Sequence, residues 1–76
     1  MDIRILGSGC AKCVALANNA EQAAQDLGLD YSLEKVTDRN AIIDAGVMVT
    51  PGLMVDGEVR ASGKVLTPDQ IKTLLA

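Results

Sequence analysis

Asp2-Ile3-Arg4-Ile5-Leu6-Gly7-Ser8-Gly9-Cys10-Ala11-Lys12-Cys13 opens with alternating polar and apolar side chains, becomes continuously apolar at Ile5-Leu6, and is then broken by two glycines around a serine. This is the pattern of a strand running into a loop. From Cys10 the period changes. Cys13, Leu16, Ala17, Ala20, Ala24 and Leu27 recur at spacings of three and four, opposite Asn18, Glu21, Gln22, Gln25 and Asp26. That stripe predicts a helix of about four turns, closed by Gly28 in the position helix C-caps favour. Tyr31, Leu33 and Val36 then suit a second strand, and Thr37 or Asp38 can cap a short helix that runs through Ala45 and stops at Gly46. A strand that returns through a helix in about thirty residues lies parallel to the first, with a right-handed crossover.

Leu53-Met54-Val55, Asp56-Gly57 and Glu58-Val59-Arg60-Ala61 form the strongest hairpin signal in the chain. Asp-Gly supplies the positive φ values of a two-residue type I′ turn, so strands three and four are expected to be antiparallel. That register opposes Met54 to Val59 and Leu53 to Arg60. Thr67-Pro68-Asp69-Gln70 combines an N-cap threonine, proline at the first helical position and glutamine three residues after the cap, with Leu66 placed to pack on Ile71. Ile71, Leu74 and Leu75 give this last helix the apolar side expected to dock on the sheet. No linker or repeat interrupts the 76 residues, and a chain of that length holds one core, so residues 1–76 are expected to form one domain. Of those residues 49% are hydrophobic, but Tyr31 is the sole aromatic, so the core must be aliphatic.

Seven Lys plus Arg against ten Asp plus Glu give a net charge of −3, with the basic residues scattered singly, which argues against nucleic acid as a partner. No His is present, so imidazole metal ligands and every Ser-His-Asp or Cys-His mechanism are excluded. No apolar stretch approaches the roughly 18 residues that cross a bilayer, and the start lacks a signal-peptide pattern. The expectation is a cytoplasmic protein with no membrane partner.

Chemistry therefore falls to Cys10 and Cys13. A bridge between them closes so short a ring that loop entropy yields only about 2 kcal/mol before strain, which makes reactivity a better explanation than a structural staple. Cys10 is expected beside the unpaired N–H groups of a helix start, where the dipole favours an anion and draws a thiol pKa down. Lys12 adds a little. Cys13, one turn further in, is expected to be more buried and to act second, resolving a mixed disulfide. Other readings of the pair remain. Four-coordinate zinc needs two more ligands than one chain offers, although a dimer could supply them. Copper(I) accepts two thiolates, so a small metal carrier is the rival, and an inert buried pair is the bland alternative. Gly7-Ser8-Gly9 fails as a dinucleotide fingerprint because the third glycine would fall at Lys12.

Val49-Thr50-Pro51-Gly52 precedes the third strand. Locally Pro51 reads as an entry to an edge strand. Alternatively, a cis Thr50-Pro51 bond would turn the chain and present the Thr50 backbone beside the cysteines, where an extended partner segment could pair with it. Met48 and Met54 read as core filler rather than as copper ligands. Arg60 and Lys64 read as solvated hairpin charges.

Cys-x-x-Cys after the first strand, Thr50-Pro51 before a hairpin tipped by Asp56-Gly57, Ser62-Gly63-Lys64 and a capped final helix together resemble the small thioredoxin-like proteins of archaea and bacteria sometimes called redox-active disulfide proteins. The resemblance covers essentially the whole chain. It implies the α/β thioredoxin-like fold, βαβαββα, with a four-stranded mixed sheet flanked by three helices. It also implies Cys10 as the attacking cysteine, Cys13 as the resolving one, and Pro51 as the cis-proline with Thr50 before it, both contacting substrate. Thioredoxins usually place Trp before the first cysteine and Gly-Pro between the two, whereas here Gly9 precedes and Ala11-Lys12 intervene. The buried acid of thioredoxins has no match, since the first strand offers only Asp2 and Arg4 as ionisable residues, and no glutathione site is recognisable. The implied function is thiol-disulfide exchange with protein disulfides through Cys-Ala-Lys-Cys, in a monomer. An external, flavin-dependent reductase of the thioredoxin-reductase type would restore the dithiol. No bound cofactor is needed, because the electrons reside on the cysteines. The rival carrier of copper(I) or other heavy metals resembles a class that usually has Met where this chain has Ser8 and that ends in a strand. A third reading is an interaction module whose cysteines are incidental.

Overall fold

The protein is described here by a computed structural model covering residues 1–9 and 11–76. The elements are β1 (Asp2–Leu6), α1 (Ala11–Asp26), β2 (Ser32–Val36), α2 (Arg39–Asp44), β3 (Gly52–Val55), β4 (Glu58–Ser62) and α3 (Pro68–Leu75), the expected order βαβαββα. The sheet runs β2-β1-β3-β4, with β1 parallel to β2 and both β1-β3 and β3-β4 antiparallel. β3 is thus an inner strand, so Pro51 does not enter an edge strand.

The alternation of β1 sends its side chains to opposite faces. Ile3 and Ile5, with Leu53 and Val55 from β3, meet Leu16, Ala17, Ala20, Ala23 and Ala24 of α1, and Ile71 and Leu75 of α3 join the same cluster. The alanines let α1 lie close to the sheet, and each large aliphatic side chain removed from water contributes roughly 1.5 to 3 kcal/mol. On the other face a smaller cluster of Leu6, Ile42 and Val47 is flanked by Val36 and Met54, with α2 above it. The helices therefore lie on both faces, α1 and α3 on one and α2 on the other. α3 makes its main contact with α1 rather than with the sheet. Lys72 Nζ reaches Asp26 at 2.9 Å, and Asn19 Nδ2 donates to the Leu66 carbonyl at 2.8 Å, tying the two helices together.

The caps follow the sequence closely. Asp38, rather than Thr37, caps α2 by accepting from the Asn40 N–H, and Thr67 and Gln70 form a reciprocal capping box at α3. α1 closes with Gly28 at φ 67°, the Gly28 N–H donating to Gln25 and the Leu29 N–H to Ala24. That pair of bonds is a Schellman motif, and it displaces the expected stripe: Leu27 is left 38% exposed, while Leu29 packs on the core and Ala23 completes the buried face. Tyr31 lies just outside β2, which starts at Ser32.

At the β3-β4 turn, Asp56 (φ 50°) and Gly57 (φ 85°) take the positive φ values the hairpin requires. The register differs from expectation after two residues. Met54 pairs with Val59 as expected, but Leu53 pairs with Ala61, and Arg60 is the extra residue of a bulge. Leu53 is fully buried on the α1 face. Pairing it with Arg60 would drive a guanidinium towards that core, whereas the bulge offers Ala61 instead and leaves Arg60 in solvent.

Candidate functional site

The strand topology brings three chain segments to one end of the sheet: the β1-α1 loop, the first turn of α1 and the segment leading into β3. Cys10, the expected attacking thiol, lies outside the described residues. Cys13 sits in the first turn of α1 and is 5% exposed. Its sulfur packs directly on Gly7, the residue after β1, whose N–H donates to the Val36 carbonyl at 2.9 Å. A Cβ added at Gly7 would run into Cys13 Sγ and would stand 3.6 Å from both Cys13 Cβ and Thr50 Cβ. Gly7 is thus the narrow point at which Cys13 and Thr50 approach each other. The sequence offers it only as one glycine of a loop signal, without indicating that a sulfur needs the space.

The Thr50-Pro51 peptide bond is cis. Pro51 is buried and its carbonyl accepts from the Gly63 N–H at 2.9 Å, while Thr50 is exposed. Gly52 beyond it faces Val47, both of whose γ-carbons would lie 2.9 Å from an added Cβ. The loop is therefore anchored on both sides of Thr50, and the Thr50 main chain makes no hydrogen bond to another described residue outside the strands.

Two cavities open at this end. One of about 90 Å³ is bounded by Ile5, Gly7, Cys13, Val14, Lys35 and Thr37. Lys35 reaches it because β2 pairs in parallel with β1 and sets Lys35 beside Ile5, on the α1 face. A larger cavity of about 380 Å³ lies on the α2 side. Ile42 and Val47 form its apolar floor, Ile43 and Met48 its rim, and Ser8, Thr37, Arg39 and Thr50 its polar edge. Met48 is not core filler as the sequence suggested: it is 86% exposed. Val47 takes the buried place one residue earlier, and Met54 packs against the α2 cluster as expected. Arg39, Ile43 and Lys35 were not legible as site residues, because they come from separate elements that only the folded topology gathers.

No charged side chain is buried among the described residues. The displaced titrations lie far away at the α1-α3 contact. There the hydrogen bond from Lys72 Nζ holds the Asp26 carboxyl below its ordinary range, helped by Gln22, and the same bond raises the Lys72 ammonium. Among the described residues no three Cys, Asp or Glu side chains gather as a metal site, and no helix is long and apolar enough to cross a membrane.

A sequence profile described as a thioredoxin domain matches residues 1–76. A protein named thioredoxin from Methanothermobacter thermautotrophicus is 42% identical over 76 residues, covering 100% of this chain and 99% of that protein. Another protein named thioredoxin, from Methanocaldococcus jannaschii, is 41% identical over 70 residues, covering 92% of this chain and 80% of that protein.

Proposed function

The chain belongs to the thioredoxin family, and from that premise we propose that it is a disulfide oxidoreductase whose working groups are Cys10 and Cys13. Cys10 directly precedes α1, whose first-turn N–H groups favour a thiolate. The Cys10 thiolate attacks one sulfur of a target disulfide. That S–S bond breaks, a mixed disulfide forms, and the departing thiolate takes up a proton. Cys13, as thiolate, then attacks the Cys10 sulfur and expels the second target thiolate. The target gains two electrons and two protons, and the protein is left with a Cys10-Cys13 disulfide. An external flavin-dependent reductase returns the two electrons, so no cofactor is held by this chain. Thr50 and Pro51 receive the extended target segment, with the Thr50 main chain hydrogen-bonding alongside it. Residues 1–76 act as one domain, as a monomer, in the reducing setting of the cytoplasm.

The observation that carries this reading is the convergence at Gly7: a buried helix-start cysteine packed against the residue whose vacant Cβ position faces Thr50 of a cis-proline loop. The test is insulin reduction driven by dithiothreitol or a thioredoxin reductase, followed as turbidity. Cys10→Ser and Cys13→Ser should each abolish catalysed turnover, and alkylation at neutral pH should modify Cys10 before Cys13. Turnover at the wild-type rate in either serine variant would end the proposal.

A further inference from the structure

The charges of this acidic chain are sorted along its length. β1 and β2 both finish at the cysteine end of the sheet, β3 starts there, and β4 returns there. The Gly63 N–H bonds to the Pro51 carbonyl, and Gly63 lies against Val49, which fixes Lys64 at the same end. Lys12 is in the first turn of α1, Lys35 borders the smaller cavity and Arg39 the larger. Four of the seven Lys and Arg residues thus surround one end of a chain whose net charge is −3. The opposite end gathers Asp2, Asp26, Asp30, Asp56 and Glu58, from the start of β1, the end of α1, the approach to β2 and the hairpin turn.

Pairing sharpens the contrast. Arg4 is tied to Asp2 and Glu34, and Lys72 to Asp26 and Asp69. None of Lys12, Lys35, Arg39 and Lys64 forms an ion pair with a described residue. The nearby acids are Asp38, whose carboxylate is occupied in capping α2, and Asp44 at the end of that helix. Arg39 borders the cavity of about 380 Å³, with its floor of Ile42 and Val47 and its edge at Ser8 and Thr50, at the same end of the sheet as the other three cations. That volume is at the small end of ligand pockets and suits one large side chain rather than a cofactor.

We propose that this end of the molecule selects acidic target segments. An apolar side chain next to the target's half-cystine fills the Ile42-Val47 cavity, and flanking carboxylates settle on Arg39 with Lys12, Lys35 and Lys64 around them. The proposal rests on the thiol-disulfide reading of the same site and adds the class of substrate. An electropositive end on a negatively charged molecule also orients approach, turning the reactive end towards an acidic partner and away from a basic one.

The test uses the full chain and two capped peptides, each with a Ser in place of the half-cystine and a neighbouring Leu, one carrying two Glu and the other two Lys. In fluorescence-anisotropy titrations at low salt the acidic peptide should bind about tenfold more tightly, and the gap should shrink severalfold at high ionic strength. Arg39→Gln should remove most of the gap, Arg39→Lys should keep it, and Lys64→Gln should narrow it about twofold. Glu58→Gln, at the far end, should leave it unchanged. Equal affinities for the two peptides, or a gap untouched by Arg39→Gln in a variant that melts like the wild type, would overturn the proposal. Reduction of the uncharged hydroxyethyl disulfide by the wild-type chain is measured in parallel. If that reduction fails while the peptides are still discriminated, the cysteine chemistry falls and acidic-segment binding stands. If it proceeds without discrimination, only the substrate class falls.

Discussion

On the sheet face covered by α1 and α3, Ile3, Ile5, Leu53, Leu16 and Ile71 are sealed against one another, whereas on the face crossed by α2 the sealed group is Leu6, Ile42 and Val47. There Ile43 remains 56% exposed and Met48 86% exposed. The first face is closed by two helices tied to each other by the Lys72–Asp26 ion pair and the Asn19–Leu66 hydrogen bond. The second is crossed by a six-residue helix that leaves a cavity beside the reactive end. Burial is concentrated on one side of the sheet, while the other keeps an open cavity edged by exposed apolar residues.

Substitution on each face is the harshest way to break this division. Leu16→Ala, in the thick layer, should cost about 3 to 5 kcal/mol, and Ile42→Ala, in the thin one, about 2 kcal/mol, because a shallow site collapses or hydrates more easily. Urea unfolding checks both, and a larger cost at Ile42 would invert the comparison. Gly7→Ala should follow, at about 1 to 3 kcal/mol, since its methyl group must displace the Cys13 sulfur or the strand end. Here insulin reduction should fall more than stability does. A stable variant with full turnover would show that the close packing is incidental to the chemistry.

Asp26→Asn probes the α1-α3 tie with a smaller, pH-dependent effect. The Asp26 carboxyl is held below its ordinary value by the Lys72 hydrogen bond, so its contribution is present above the unfolded-state pKa and is lost as pH falls through the depressed folded value. Lys72 is raised, so its share is present below the ordinary lysine value and is lost as pH climbs through the raised one. Melting curves of wild type and variant should differ at neutral pH and converge in strong acid, with the gap also closing at strongly alkaline pH. A difference unchanged in strong acid would contradict the assignment. Smallest of all, Met48→Ser should shift stability by no more than about 0.5 kcal/mol, as for an exposed position. A large loss on unfolding would mean that the rim is part of the core.

Local chemistry made much of this readable in the sequence. Asp56-Gly57 announced its turn, Thr67-Pro68 and Gln70 their cap, and Gly28 the end of α1, because each depends on neighbours within a few residues. Where the outcome depended on what lay across the sheet, the pattern misled. Leu53 could not reveal that its partner must be Ala61 until the α1 face was known to be dry. Met48 looked like core because Val47, Met48 and Val49 are all apolar, and only the docking of α2 decided that Val47 goes inside. At the site, Cys13 and Thr50-Pro51 stood out as motifs, whereas Lys35 and Arg39 are ordinary charges until the parallel pairing of β1 and β2 carries them to the cysteine end.

The bulge at Arg60 reaches beyond the hairpin. β4 forms one outer margin of the sheet, with a row of main-chain donors and acceptors that could template addition of another strand. An irregular step in that row, flanked by Glu58 and Arg60, breaks the even spacing that a second molecule would need in order to zip along it. The outer margin of this sheet thereby resists growing into fibrils by the addition of further strands.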